Sequence, residues 1–275
     1  MALATPEANK EAYRALHDKI HDKRINATSP IRRHAHNRQH AIIAEMVPVG
    51  ATVLDAGCGE GDLSMRMAKR GCVVTGSDLS APNVAACKEY AMQEGVAATF
   101  VEGDVERLPF PDKSFDYVVS SHVLEHIPDF VQGVRELNRV ARKGVIVAIP
   151  TCLNPCAYVL LGRGKYWTFL DRRWPYAMAV GKLRVLWALV TGQEGVNEGY
   201  AGRADLVHIW RFPWRGRKLL EQGGLTVVRQ RASTFILPYL SFLLPVTKFF
   251  ERFDDAPVLR HLGYGTTYVC EPSGR

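Results

Sequence analysis

The chain has 275 residues, of which 47% are hydrophobic and 23% charged, with 35 Lys+Arg against 28 Asp+Glu and a formal net charge of +7. That composition is too apolar for a disordered chain and sufficient to bury the core of one α/β domain with insertions. No apolar run reaches the roughly eighteen residues that a bilayer-spanning helix needs, so no spanning helix is expected.

The charge is uneven: residues 1–150 carry a net −1 and residues 151–275 a net +8. The basic half also holds the longest apolar runs, a pairing that suits an anionic lipid surface or an acidic substrate. Cysteines stand at 58, 72, 87, 152, 156 and 270. Cys152 and Cys156 lack a second pair at zinc-finger spacing, so reduced thiols and a cytoplasmic location are expected. The opening MALATPEANKEAYRAL has no apolar core after a basic start, so no secretory leader is expected.

Residues 6–46 read as helix. Pro6 opens it, Tyr13, Leu16 and Ile20 form a stripe, and Asn26-Ala27-Thr28-Ser29-Pro30 interrupts it. A second helix runs through Arg32, His36, His40, Ile43 and Met46 and stops before Pro48. His34 and His36 fall on different helix faces, so no metal is expected there.

Residues 53–64, Val-Leu-Asp-Ala-Gly-Cys-Gly-Glu-Gly-Asp-Leu-Ser, read as a buried strand, a glycine turn and a helix start. Gly57, Gly59 and Gly61 let a ligand lie against the main chain. A pyrophosphate site would not place a carboxylate at this mouth, but a site for a cation would, and Asp55 is there. The spacing also departs from the dinucleotide pattern G-x-G-x-x-G, because the third glycine comes one residue early. Cys72–Asp78 is a second apolar strand ending in an acid, with Asp78 seventeen residues past Gly61. Ala98–Val105 is a third, ending at Asp104. Phe115–Ser121 is a fourth, followed by His-Val-Leu-Glu-His-Ile-Pro-Asp over 122–129.

This order of strands, acids and glycines resembles the class I S-adenosylmethionine-dependent methyltransferases, in a small-molecule group that includes quinone- and lipid-pathway enzymes. The resemblance implies S-adenosylmethionine as methyl donor, held by Asp55, Gly57, Cys58, Gly59, Gly61, Asp78, Leu79, Gly103, Asp104, Val105 and Ser121. It puts Asp78 on the ribose hydroxyls and Asp104, beside the Val105 backbone, on the adenine amino group. His122-x-x-Glu125-His126 also resembles the metal-binding E-x-x-E-H of some ubiquinone-pathway O-methyltransferases, with His in the first position. No fourth ligand is evident, and the site is read without a metal.

The remaining elements alternate: helices 61–70, 81–94 and 128–142, and a strand 144–149, so the pairing is parallel with right-handed crossovers. After Pro150 an insertion, 151–206, intervenes, carrying Tyr166-Trp167-Thr168-Phe169-Leu170 and the apolar 178–190. Helix 214–222, strand 225–231 and strand 266–270 complete the sheet. A second insertion, 234–262, holds the apolar 234–250, too short and broken to span a bilayer, which reads as a buried cap or an interfacial patch.

The expected fold is α/β: a Rossmann-like, doubly wound, seven-stranded, mostly parallel sheet with the last strand antiparallel, N-terminal helices and two helical cap insertions. The expected organisation is a single domain over 1–275, made of N-terminal helices 1–46, a cofactor core 47–150, a cap 151–206, and a C-terminal part 207–275 containing 234–262. The expected function is transfer of a methyl group to oxygen or nitrogen of an apolar or amphiphilic small molecule. His122, after the fourth strand, and His208, where the first insertion rejoins the core, are the candidate bases. Peripheral contact with the inner face of an anionic membrane is expected. The alternatives are a non-catalytic cofactor-binding protein, which would be expected to lose glycines or acids that are all present, and a nucleic-acid methyltransferase. Ser120-Ser121-His122-Val123 stands where the latter would hold Asn/Asp-Pro-Pro-aromatic, so no nucleic acid is expected.

Overall fold

The computed structural model describes residues 3–15, 30–162, 173–200, 202–235 and 241–273. Leu16 and Ile20, the interruption at 26–29, the aromatic run 166–170 and the apolar stretch 236–240 lie outside these residues.

Seven strands form one sheet: β1 (Thr52–Ala56), β2 (Val73–Asp78), β3 (Thr99–Glu102), β4 (Phe115–Ser121), β5 (Ala141–Pro150), β8 (Leu225–Thr234) and β9 (Gly265–Pro272). Their order is β3-β2-β1-β4-β5-β9-β8, and β9 runs antiparallel to both its neighbours. The chain winds outward from β1 to β3, then returns to lay β4 against the other side of β1. The gap between β1 and β2 on one side and β4 on the other is the topological switch point, where such sheets open a crevice beyond the strand C-termini.

The central strands are apolar on both faces, as helices on each side require. Leu54, Val118, Val145 and Val147 point into one core with Val134, Leu137, Leu220 and Tyr268. Their alternates Val53, Val119 and Ile146 point into the other, with Ile43, Leu63, Met67 and Val74. These cores are covered by α2 (Pro30–Met46) and α3 (Asp62–Lys69) on the second face, and by α5 (Phe130–Val140) and α8 (Pro213–Gln222) on the first. Between β2 and β3 runs α4 (Ala81–Gln93), opened by Ser80, whose Oγ accepts from Asn83 N. The helix expected over 128–142 ends at Val140, because Ala141 already pairs with Phe115 as the first residue of β5.

The first insertion contains α6 (Pro155–Leu161), α7 (Trp174–Val190) and β6 (Gly195–Asn197), which forms a two-stranded ribbon with β7 (Ile209–Arg211). The second contains a 3-10 turn at Ser241–Leu243, α9 (Leu244–Phe250) and further 3-10 turns at Glu251–Phe253 and Leu259–His261. Phe242, Phe249 and Phe253 are exposed there, so this stretch is not a fully buried cap. It is nevertheless anchored. Arg38 of α2 donates to Ser233 O, at 2.8 Å, and to the carboxylate of Asp254, while its Nε lies 3.1 Å from Glu251 Oε2. Arg231 meets the same Asp254 at 2.6 Å. A buried network of this kind ties the covering helix α2 to the insertion, since each carboxylate would be costly to strand alone.

Candidate active site

At the C-terminal ends of β1 and β2 the backbone turns under the control of one carboxylate. Asp78 accepts hydrogen bonds from Gly59 N at 2.8 Å, Ser80 N at 2.9 Å and Asn83 Nδ2 at 3.2 Å. Gly57 N and Cys58 N donate to Ser77 O. Gly57 has φ +81°, and a Cβ there would lie 2.2 Å from a methyl of Val123. Only glycine combines that conformation with that contact, which is why the loop can lie open to a ligand.

Asp55, at the end of β1, is fully buried and accepts from Ser64 Oγ at 2.6 Å. Burial pushes its carboxyl up to about 7, with Ser64 opposing and the charges of Asp78 and Asp62 adding to the rise. A carboxylate in this position favours a cationic guest, which would relieve the penalty. Asp62, in the first turn of α3, is different. Burial works against its charge, but His36, His40 and Arg66 hold its carboxyl far below the usual carboxylate range. His40 Nδ1 lies 2.5 Å and Arg66 Nε 2.9 Å from Asp62 Oδ2.

Asp55, Asp62 and Asp78 line one cavity of about 320 Å³, together with Leu79, Asn83, Asp104, Val105, Ser121, His122 and His208. Every candidate cofactor residue borders it except Gly103. That glycine donates to Asp78 O and packs where a Cβ would be 2.3 Å from Ser77 Oγ. It directly follows β3, between Glu102 and the cavity-lining Asp104. Asp104 borders the cavity with Lys10 Nζ 2.6 Å from its Oδ2. Gln39 of α2 donates to Ser121 Oγ at 3.2 Å. The N-terminal helices thus form a wall of the cavity, with α1 (Pro6–Arg14) contributing Asn9, Lys10 and Tyr13.

Further histidines line the same cavity. His122 sits at φ +57° directly after β4, and its backbone N donates to Ala148 O. Its Nδ1 is 2.9 Å from Oε1 of the fully buried Glu125, whose Oε2 has no hydrogen-bond partner. Burial would raise the Glu125 carboxyl, but the charge and hydrogen bond of His122, then His126 and His208, bring it down to about 2. A carboxylate only accepts, so Nδ1 of His122 is the donor in this pair and Nε2 is the ring nitrogen outside that bond. His208 stacks on His126 with ring centroids 4.5 Å apart. Its Nδ1 is 3.2 Å from Gly199 O, an acceptor, so Nδ1 is again the protonated nitrogen. Burial, then the nearby His126, lowers His208 to about 3. Behind it, the Glu198 carboxyl is raised to about 7 by burial, with Trp210 Nε1 donating at 2.7 Å.

Two side-chain groups stand close enough to share a cation among the described residues: His36, His40 and Asp62, and Glu125, His126 and His208. In the first, Arg66 already serves the carboxylate. The second brings His208 beside the E-H pair of the motif. His36 and His40 were legible as an i, i+4 pair on one helix face, but nothing local marks Asp62 as their partner. Tyr13, Glu198, Tyr200, Trp210 and Tyr264 join the histidines only through tertiary packing, and no spacing in the chain announces them.

Residues 54–149 match the family described as "Methyltransferase domain". The ubiquinone biosynthesis O-methyltransferase of Pseudomonas paraeruginosa is 37% identical over 113 residues, covering 40% of this chain and 48% of that protein. The demethylmenaquinone methyltransferase of Staphylococcus aureus is 34% identical over 151 residues, covering 53% and 62%. The match therefore spans about half to three-fifths of these curated relatives. Among solved structures, the PH0226 protein of Pyrococcus horikoshii has a TM-score of 0.60 at 18% identity over 96% of this chain and 99% of that one. The magnesium protoporphyrin IX methyltransferase of Synechocystis, with bound S-adenosylmethionine, gives 0.57 at 17% identity over 96% and 97%. These two likenesses concern the fold alone.

Proposed function

We propose that the chain, whose residues 54–149 match a methyltransferase domain, is a class I enzyme that moves a methyl group from S-adenosylmethionine to oxygen or nitrogen of an apolar or amphiphilic small molecule. The observation that carries this is convergence. Asp55, Asp78 and Asp104, at three strand ends, line one cavity that also holds the His122–Glu125 pair. When bound, S-adenosylmethionine would supply the methyl carbon, its carbon–sulfur bond breaking as the acceptor's lone pair forms the new bond.

The protein's part is alignment, charge and proton removal. Asp78 holds the glycine loop and would accept from the ribose hydroxyls of the cofactor, Asp55 would offset its positive charge, and Asp104 would accept from its adenine amino group. The Nε2 of His122 takes the acceptor's proton, and Glu125 steadies the imidazolium that results. His208, kept neutral down to about pH 3 by burial, positions the acceptor instead of holding its proton. Trp210, Tyr200 and Tyr264 line the acceptor side and suit an apolar ring or chain. The quinone-pathway names of the relatives point the same way.

Two measurements test this directly. S-adenosylhomocysteine at about 100 times its dissociation constant should stabilise the protein by about 2.7 kcal/mol, read as a thermal shift, while NAD gives none. A shift with NAD and none with S-adenosylhomocysteine would move the chain to another class. Asp78→Ala should weaken cofactor binding by about 1.5–3 kcal/mol, the worth of hydrogen bonds to a charged group. Calorimetry returning the parent affinity would remove Asp78 from the site.

A further inference from the structure

Helix α7 is apolar nearly all round and carries no Asp or Glu. One face packs inward: Ala177, Gly181, Val185 and Ala188 are buried. The contact with α6 is backbone to backbone, since a Cβ on Gly181 would sit 1.8 Å from Tyr158 O and one on Gly162 would sit 1.7 Å from Ala177 O. Arg184 donates to Leu161 O and, at 2.7 Å, to Asn197 O, which fixes the helix further.

The other face is a stripe at helical spacing: Tyr176, Ala179, Leu183, Leu186, Trp187 and Val190 are all exposed. Val190 is 82% exposed, Tyr176 73%, Trp187 67% and Leu183 65%. A firmly seated helix that turns this much apolar surface outward has a partner in function. Basic groups accompany it: Arg173 at its start and Lys182 on its exposed side, while Arg215 Nη2 comes within 4.0 Å of a Cβ built on Gly192, just past its end.

We propose that this face of α7 seats the protein on an anionic bilayer surface, with the helix in the interfacial plane. The charge pattern selects that occupant. A second copy docking face to face would bring like charges together with no acid on either helix to offset them, because such an interface pairs each patch with itself. An anionic headgroup layer supplies the missing negative charge, and the apolar stripe enters the acyl boundary, as interfacial helices do. Among the described residues no helix is long and apolar enough to cross a membrane.

The placement also serves the cavity, an argument that rests on the apolar acceptor proposed above. The buried side of α7 belongs to a cluster with Leu160, Leu161, Trp210 and Phe212, against which Tyr264 packs. Trp210 and Tyr264 also line the cavity. The cluster beneath the outward stripe therefore shares Trp210, and the packed Tyr264, with the acceptor wall.

The test is sedimentation of the full chain, without cofactor or acceptor, on phosphatidylcholine vesicles with and without phosphatidylserine. Binding is expected only with phosphatidylserine and should weaken as salt rises. The triple variant Leu183→Glu, Trp187→Glu, Val190→Glu should lose roughly tenfold or more of that binding, with unchanged melting temperature and unchanged affinity for S-adenosylhomocysteine. A companion variant in the second insertion, Phe242→Glu with Phe249→Glu, should lose less. Parent-like binding by the triple variant, no binding by the parent protein, or greater loss in the companion overturns the proposal. So does light scattering that finds a lipid-free dimer reduced to monomer by the triple variant. Since the binding is read without turnover, its failure leaves the methyltransferase assignment standing, and absence of the cofactor thermal shift leaves the docking result intact.

Discussion

Replacing His122 by Asn should slow methyl transfer by about 10²–10⁴-fold, the usual contribution of a positioned base, with cofactor affinity near the parent value. Asparagine is the informative choice. His122 stands at φ +57°, a left-handed conformation that Asn tolerates better than Ala. Its amide can still donate to Glu125 Oε1, which His122 Nδ1 meets at 2.9 Å. What the variant lacks is a nitrogen able to accept the acceptor's proton near neutral pH. Glu125→Gln should act in the same direction and less strongly, because the imidazolium formed on His122 loses its counter-charge. Single-turnover rates separate this from product release. A His122→Asn protein with parent rates would move the base elsewhere, and His208 would be the next candidate.

Asp55→Asn should stabilise the ligand-free protein above neutral pH and weaken its hold on the cofactor. The carboxyl is raised from 3.8 to about 7 in the fold, chiefly by burial. A raised carboxyl binds a proton in the native state that the unfolded chain has released. Native stability therefore falls as pH rises from about 4 to about 7, and the cost is complete above 7. Each tenfold change in acidity is worth about 1.4 kcal/mol, so the cost is at most roughly 4 kcal/mol for a group this deeply buried. The neutral amide avoids it and can still accept from Ser64 Oγ. The melting temperature of Asp55→Asn should exceed that of the parent clearly at pH 8 and hardly at pH 4–5. Cofactor affinity should fall at the same time, because the anion facing the cationic ligand is gone. An equal gap in melting temperature at both pH values would mean that Asp55 carries no such burden. Together the two results would mark Asp55 as a group kept for binding to the detriment of the empty fold.

The strands and the glycine loop were legible because local chemistry dictates them. A parallel strand buried on both faces must be a short apolar run, so Val53-Leu54, Val73-Val74, Val118-Val119 and Val145–Ile149 declare themselves. A backbone at φ +81° against Val123 admits only glycine, so Gly57 is written into the chain. Acids at strand ends follow, because the C-terminal edge of such a sheet is where its crevice opens. That is why Asp55, Asp78 and Asp104 could be placed on one cavity from the sequence.

Other features needed the fold. Gly103 lies one residue before Asp104, and only the fold shows how closely it approaches Ser77. His208 lies 82 residues beyond His126, and only the return of the chain from the first insertion stacks the two rings. The surroundings of His208 drive it down to about 3, which residue type alone does not encode. Asp62 meets His40 across two helices, and Arg38 reaches Asp254 and Glu251 across more than two hundred residues. The apolar residues of α7 and of the second insertion are similar in sequence to buried core, and exposure alone separates them from it. Periodicity and turn chemistry are properties of neighbours along the chain, so the sequence carried the sheet and the loop. Burial, desolvation and long-range pairing are properties of neighbours in space, so only the tertiary structure decided which histidine stays neutral, which acid is strained by its burial and which apolar face is left outward.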